Sequence, residues 1–347
     1  MKNSQKIHTN FSINGKKFVS KIALLAHAKT ISRGLFTFLN QWFSETETVK
    51  VKTSGSTGKP KSIKIKKEFM VNSALATGTF FNLKEGTTAL LCLSPNYIAG
   101  KMMMVRALTL GWQLDVVKPN SNPLKGNNKT YDFCAMVPMQ VQNSLHKLNQ
   151  IKILIVGGAA VSNTLKNSLQ YLNTKVFETY GMTETITHIA VKPLNNCLTN
   201  NYFKTLPQVN ISKDKRDCLV IEAPKISDNK IVTNDLVKIV TKKQFKWLGR
   251  IDNIINTGGV KIIPEEVEQK LSKILPFRFF IAGLPDKLLG EKVVLLCEGK
   301  PIKIDESFND KLTKFEKPRE ILFCKKFIET TTQKINRKET LKLVTSC

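Results

Sequence analysis

The sequence is short of acid. Lysine and arginine number 54 against 27 aspartates and glutamates, a formal charge of +27. A surplus of that size favours polyanions: nucleic acid, anionic lipid or phosphorylated cofactors. The lysines are spread along the chain, so charge alone does not choose among them. Aromatic residues make up only 8% and are mostly phenylalanines within apolar runs. Neither a stacking platform nor a recognisable groove-reading helix is present, so no nucleic-acid partner is expected. Long apolar runs are missing as well. The longest uncharged stretch, Gly86–Gly100, is too short to cross a bilayer and contains Pro95 and Asn96. The opening MKNSQKIHTN is polar, and no signal peptide is expected. Seven cysteines, scattered and odd in number, include no Cys-x-x-Cys pair. That argues against a disulfide scaffold or zinc site and for a reducing, cytoplasmic setting. Two nucleotide fingerprints fail too. No Gly-x-Gly-x-x-Gly occurs, and Gly58-Lys59 is followed by Pro60 where a Walker A loop needs Ser or Thr.

What the chain does have is 347 residues, 41% of them hydrophobic, enough for two or three domains with real cores. The spacing predicts a helix over 67–81, buried strands over 88–93, 133–137 and 151–156, and helical stretches over 138–148 and 162–172. Strands alternating with helices imply an α/β fold with a doubly wound, mostly parallel sheet. After about Asn195 short runs such as Cys218–Ala223 and Lys230–Thr233 predict a smaller, more antiparallel β-rich part. Further on, WLGRIDNIINTGGVKIIPEEVE predicts a strand pair turning at Gly258–Gly259, then a helix opened by Pro264. Strands are expected over 277–282 and 292–296. The boundary is placed near Arg250–Asp252, giving residues 1–251 as a large N-terminal domain and 252–347 as a small α+β domain.

The stretch Thr53–Lys61, TSGSTGKPK, follows the alternating run VKVK. Glycines let a backbone approach closely, hydroxyls and amides donate to oxyanions, and lysine supplies charge. Alone, it equally suits a plain surface hairpin. Three further stretches follow in order: ETYGMTET at Glu178–Thr185, WLGRIDNIINTGGVKIIPEEVE at Trp247–Glu268 and TTTQKINRKETL at Thr330–Leu341. As an ordered set these resemble the adenylate-forming superfamily of acyl-CoA synthetases, peptide-synthetase adenylation domains and luciferases.

The resemblance implies a mobile C-terminal domain, ATP, Mg2+ and CoA, and a set of roles. Thr53, Ser54, Gly55, Ser56, Thr57, Gly58 and Lys59 would close over the ATP phosphates. Gly157, Gly158 and Ala159 would let adenine approach the backbone, with Tyr180 against the ring and Gly181 beside it. Thr183 would bond the α-phosphate and Glu184 would hold magnesium. Asp235 and Arg250 would take the ribose, Asp252 would be the hinge, and Lys334 would bridge acyl carboxylate and α-phosphate. Gly258 and Gly259 would line the path of the CoA thiol. The chain departs from the family pattern at Ser62, at Gln333, and at Asn234, where the usual Thr-Gly-Asp reads Thr233-Asn234-Asp235.

Compact members of this kind resemble o-succinylbenzoate–CoA ligases of menaquinone synthesis, on the stretches SPNYIAGKMMMVRAL and AMVPMQVQNSL. That places Asn96 and Tyr97 near an acyl pocket, with Lys101 and His188 as basic partners for a second carboxylate. A surface lysine and a core histidine are the plainer readings of the last two. Transfer of another acyl or aryl group, or transfer to a carrier-protein thiol, stays open, as does a homodimer.

Overall fold

The computed structural model describes residues 6–52, 62–196, 201–330 and 334–345. The phosphate-loop residues Thr53–Lys59 and the position Gln333 therefore lie outside the described residues. Two main sheets organise the rest. The larger has thirteen strands. Its parallel half contains Ser12–Ile13, Gln113–Val116, Thr88–Leu91, Tyr131–Met136, Ile151–Val156 and Lys175–Gly181.

Helices cover both faces of this half. Along its central strands Ala89, Leu91, Phe133, Ala135 and Ile155 join one apolar cluster, with Met70 and Phe81 from the helix Lys67–Phe81 and Met102 to Val105 from the helix Ile98–Leu110. Their neighbours Leu90, Cys134, Met136, Leu154 and Val156 point the other way, into a cluster with Val141, Leu165 and Leu169. Strands buried on both faces read as continuous apolar runs, which is why the sequence announced them. The α/β, doubly wound expectation describes the molecule.

The antiparallel strands do not form a separate sheet. His188–Pro193 pairs antiparallel with Lys175–Gly181, and Phe203–Thr205, Gln244–Arg250, Ile231–Thr241, Cys218–Glu222 and Asn210–Lys213 continue outward from it. The predicted helix over 138–148 is split. An α-helix runs Pro138–Asn143 and a tighter 3-10 turn Leu145–Gln150. Ser144 sits at the break, outside helical geometry, with its hydroxyl bonded to Asn122 at 3.2 Å. Ser162 caps the helix Asn163–Leu169, its Oγ accepting from the Leu165 amide at 3.1 Å.

A five-stranded sheet follows, built from Ile255–Thr257, Val260–Ile262, Phe279–Asp286, Gly290–Glu298 and Glu320–Cys324. The helix Pro264–Leu271 buries Val267 and Leu271 against one face, while the helix Arg337–Thr345 contributes Leu341 and Val344 to the other. Between the sheets, Ile251–Asn253 is a single 3-10 turn. Gly258 and Gly259 take φ of +57° and +79°, the mirror-image turn that a tight hairpin requires. Among the described residues no helix is long and apolar enough to cross a membrane.

Candidate active site

The site is built around Asp235. It lies in the strand Ile231–Thr241, directly opposite Arg250, and its carboxylate is buried. Tyr180 Oη donates to Oδ2 at 2.6 Å and Trp247 Nε1 to Oδ1 at 3.2 Å, while the Arg250 guanidinium stands 3.8 Å from Oδ1. Tyr180 comes from Lys175–Gly181, several strands away in sheet order. Its ring reaches back over Phe245 at 5.2 Å and Phe203 at 5.8 Å. Burial, and then the charge of Asp235, push the phenol pKa up, so Tyr180 stays a neutral donor.

Two strand ends meet beside this tyrosine. Thr179 Oγ1 donates to the Val156 carbonyl at 3.1 Å. A Cβ on Gly157 would fall 2.2 Å from Thr179 Oγ1, and Gly158 has φ +90°. Both positions therefore demand glycine, and Ala159 follows at the half-open end of the strand. After Gly181, residues Thr183–Thr185 form a 3-10 turn whose Thr185 hydroxyl accepts from the Met182 amide at 2.9 Å. The turn holds Thr183 half-buried and Glu184 exposed. Among the described residues the Glu184 carboxylate makes no hydrogen bond or ion pair, and no cluster of three metal-ligating side chains occurs.

Lys334 lies between the strand Glu320–Cys324 and the helix Arg337–Thr345. Its backbone is clasped by Thr330, whose hydroxyl accepts the Lys334 amide at 3.1 Å and whose amide bonds the Lys334 carbonyl at 2.8 Å. Much of the side chain remains exposed, yet enough protein surrounds its ammonium to lower its pKa. Asp235 pulls that pKa up and Arg250 pushes it further down. Tyr180, Asp235, Arg250 and Lys334 are thus electrostatic neighbours, although they are separated widely in sequence. Asp252 accepts from Arg250 Nη2 at 2.6 Å and from Asn234 Nδ2 at 3.1 Å.

The expected acid pocket is arranged differently from the sequence reading. Asn96 and Tyr97 lead into the helix Ile98–Leu110, and Tyr97 is 48% exposed. Lys101 is buried and its ammonium donates to the carbonyls of Pro95 and Asn96 at 2.6 and 3.0 Å. It braces that loop, and burial brings its pKa to about 8.

A second buried charge without an acid partner among the described residues is Arg106, to which the sequence had assigned no role. Its guanidinium is fully buried and touches Thr77 Oγ1 at 3.3 Å, Met103 Sδ at 3.7 Å, and Thr187 Oγ1 and His188 Nδ1 at 3.5 Å each. Burial lowers its pKa to about 9, which leaves it charged at neutral pH. The same burial, and then Arg106, keep His188 neutral. With Nδ1 accepting from Arg106, the His188 proton lies on Nε2, and that buried atom has no partner among the described residues. The signal available in the sequence was a lone arginine within the apolar helix IAGKMMMVRALTL. Trp247 was quoted within a motif but given no role.

Comparison with known proteins places this geometry. The family model for AMP-binding enzymes matches residues 52–212. A solved acyl-CoA synthetase (AMP-forming)/AMP-acid ligase II-like protein from Dyadobacter fermentans DSM 18053 is 35% identical, covering 91% of this chain and 97% of its own, with TM-score 0.62. The 2-succinylbenzoate–CoA ligase of Lactococcus lactis subsp. lactis (strain IL1403) is 24% identical over 312 residues, spanning 83% of this chain and 69% of that protein. The fold also matches o-succinylbenzoate coenzyme A synthetase from Bacillus subtilis, solved with ATP and magnesium ion, at 17% identity and TM-score 0.73, covering 93% of this chain and 82% of the other.

Proposed function

Because the chain belongs to the AMP-binding enzyme family, we propose that it is an AMP-forming acid–CoA ligase whose acid is 2-succinylbenzoate. The observation that carries the reading is the buried Asp235 carboxylate, bonded by Tyr180 and Trp247 and faced by Arg250, with the Lys334 ammonium within electrostatic reach of it. A carboxylate and a triphosphate repel each other, and a mobile ammonium delivered to their junction offsets that repulsion.

In the first half-reaction the acid's carboxylate oxygen attacks the α-phosphorus of ATP, a P–O bond forms, and pyrophosphate leaves. Lys334 neutralises the oxygens where the two anions meet. Asp235 and Arg250 hold the ribose, and Gly157, Gly158, Ala159 and Tyr180 shape the adenine end. The Thr53–Lys59 loop and Thr183 take the phosphates. A magnesium ion would be held by the exposed Glu184 carboxylate, a hard oxygen ligand, and would supply countercharge to the phosphates. In the second half-reaction the small domain turns about Asp252 and withdraws Lys334. The CoA thiol passes Gly258–Gly259 and gives its proton to solvent; its sulfur bonds the acyl carbon as the acyl C–O bond to AMP breaks.

The acid's identity rests on the named relatives and on Arg106. A dicarboxylic aryl acid activated at one carboxyl leaves a second anion to be held. A buried guanidinium with no acid partner among the described residues, next to the His188 ring whose Nε2–H is unpartnered there, suits that anion. The test is pyrophosphate release from a panel of acids, with and without CoA or a carrier-protein thiol. The reading expects 2-succinylbenzoate to give the highest kcat/KM and CoA to yield its thioester. Activity confined to another acid, or to a carrier thiol, would replace that assignment.

A further inference from the structure

The turn between the two sheets is tied down by a side chain that the family pattern leaves out. Asn234 stands where the resembling sequences carry glycine. Its Nδ2 donates to both oxygens of Asp252, at 3.1 Å to Oδ1 and 3.3 Å to Oδ2. Its Oδ1 accepts from Arg216 Nη1 at 3.2 Å, so the amide is oriented from behind. Arg216 is itself immobilised. Its Nε donates to Asp214 Oδ2 at 2.8 Å, its Nη2 donates to the Thr233 carbonyl at 3.1 Å, and its own amide bonds Asp214 Oδ1 at 2.8 Å. Arg250 Nη2 donates to the same carboxylate at 2.6 Å.

Asp214, Arg216, Asn234 and Arg250 all belong to the large sheet or to its turns. Asp252 sits in the 3-10 turn Ile251–Asn253, the only covalent path from that sheet to the five-stranded one. A carboxylate held by two donors from one side is anchored to that side.

The geometry points to Asn234 as a positioning residue that latches Asp252, and through it the small sheet, in the orientation that presents Lys334 to Asp235. This rests on the hinge assignment made above. Turning the backbone at Asp252 pulls its carboxylate away from Asn234, whose amide is then left with Arg216 alone. A glycine at 234 would offer no such contact. The chain thereby weights the equilibrium between its two working orientations toward the adenylating one, at the expense of the thiol step.

The test uses the full-length protein with Asn234→Ala and Asn234→Asp, the second setting a like charge against Asp252. Hydrogen exchange of the amides of residues 251–254 is measured without ligands. Two half-reactions are then measured separately: ATP–pyrophosphate exchange with 2-succinylbenzoate, and CoA-dependent consumption of a supplied acyl-adenylate. Both variants should exchange at 251–254 about threefold faster or more, because the lost contacts are charge-assisted. The thiol half-reaction should quicken by about the same factor, with pyrophosphate exchange altered less than about twofold. Asn234→Asp should match or exceed Asn234→Ala. Unchanged exchange at 251–254, or both half-reactions shifting by one common factor, overturns the latch. Faster exchange in a protein whose wild type adenylates no acid leaves the latch standing and removes the ligase reading. Unchanged exchange in an active ligase does the reverse.

Discussion

At the scale of single residues, Arg106 sets function against stability. A charged guanidinium buried without a carboxylate is costly to the fold, because the medium around it cannot replace lost hydration. Its lowered pKa, about 9, is the same cost expressed as proton affinity. Arg106→Met should therefore raise the melting temperature while raising KM for the acid by about tenfold or more, the loss expected for a charge-assisted contact. kcat/KM for ATP should hold. The stability gain has a pH signature. Folded Arg106 gives up its proton near pH 9 and an unfolded arginine only near its ordinary value, so the unfolded state binds more protons in between. Wild-type stability then climbs with pH through that window, and the advantage of the methionine variant is greatest below about pH 9 and shrinks above it. Thermal melts from pH 7 to 10 with parallel acid kinetics check both arms; a variant that melts lower at pH 7 contradicts the account. Arg106 was hard to read in the sequence because a basic residue in an apolar helix looks like one that snorkels to solvent. Lys101, five residues earlier, was singled out instead, and its ammonium is spent on the carbonyls of Pro95 and Asn96.

Among elements, the helix Arg337–Thr345 decides where Lys334 can be. Arg337 donates to both oxygens of Glu268, Nη1 to Oε1 at 2.6 Å and Nη2 to Oε2 at 2.8 Å, and Nη1 also reaches the Ile281 carbonyl at 3.1 Å. Burial pushes the Glu268 pKa up, and Arg337 pulls it back. This bidentate pair joins the last helix to Pro264–Leu271, and Lys334 lies three residues before it. Removing one partner strands the other, so Arg337→Ala should destabilise the chain by about 3 kcal/mol. It should also depress pyrophosphate exchange more than thiol transfer. Glu268→Gln added to it should recover part of the stability, because no bare carboxylate is then left. Chemical denaturation of the single and double variants measures this; a double variant less stable than Arg337→Ala contradicts it.

Elements were the most legible level in the sequence. The helix Lys67–Phe81 and the strand Ile151–Val156 were placed to the residue, since their apolar spacing and flanking breaks agree. The helices Lys21–Ile31 and Arg33–Trp42 were not predicted. They are set by serine caps at Ser20 and Ser32 in a stretch where basic residues interrupt the apolar pattern. The single thirteen-stranded sheet was equally hidden, because pairing between Lys175–Gly181 and His188–Pro193 is a long-range fact that periodicity does not carry.

For the whole molecule, two bodies of structure are joined through one short turn, Ile251–Asn253. The ordered motifs single out Gly157, Tyr180, Asp235, Arg250 and Lys334, and the structure brings Tyr180, Asp235 and Arg250 into contact. What the motifs could not carry was the contact between them, such as Tyr180 on Asp235 or Trp247 beside it, since a motif records identity and not proximity. The sequence marks an acid pocket less sharply, because pockets are lined by residues whose type is ordinary and whose placement is not. The central claim is that a carboxylate oxygen of the acid attacks the α-phosphorus. It is tested most directly by supplying 2-succinylbenzoate labelled with oxygen-18 in its carboxylates, together with ATP, magnesium and CoA, and weighing the products. The account predicts one labelled oxygen in AMP, none in pyrophosphate, and a CoA thioester in equal amount. Unlabelled AMP, or label in inorganic phosphate beside ADP, would contradict it.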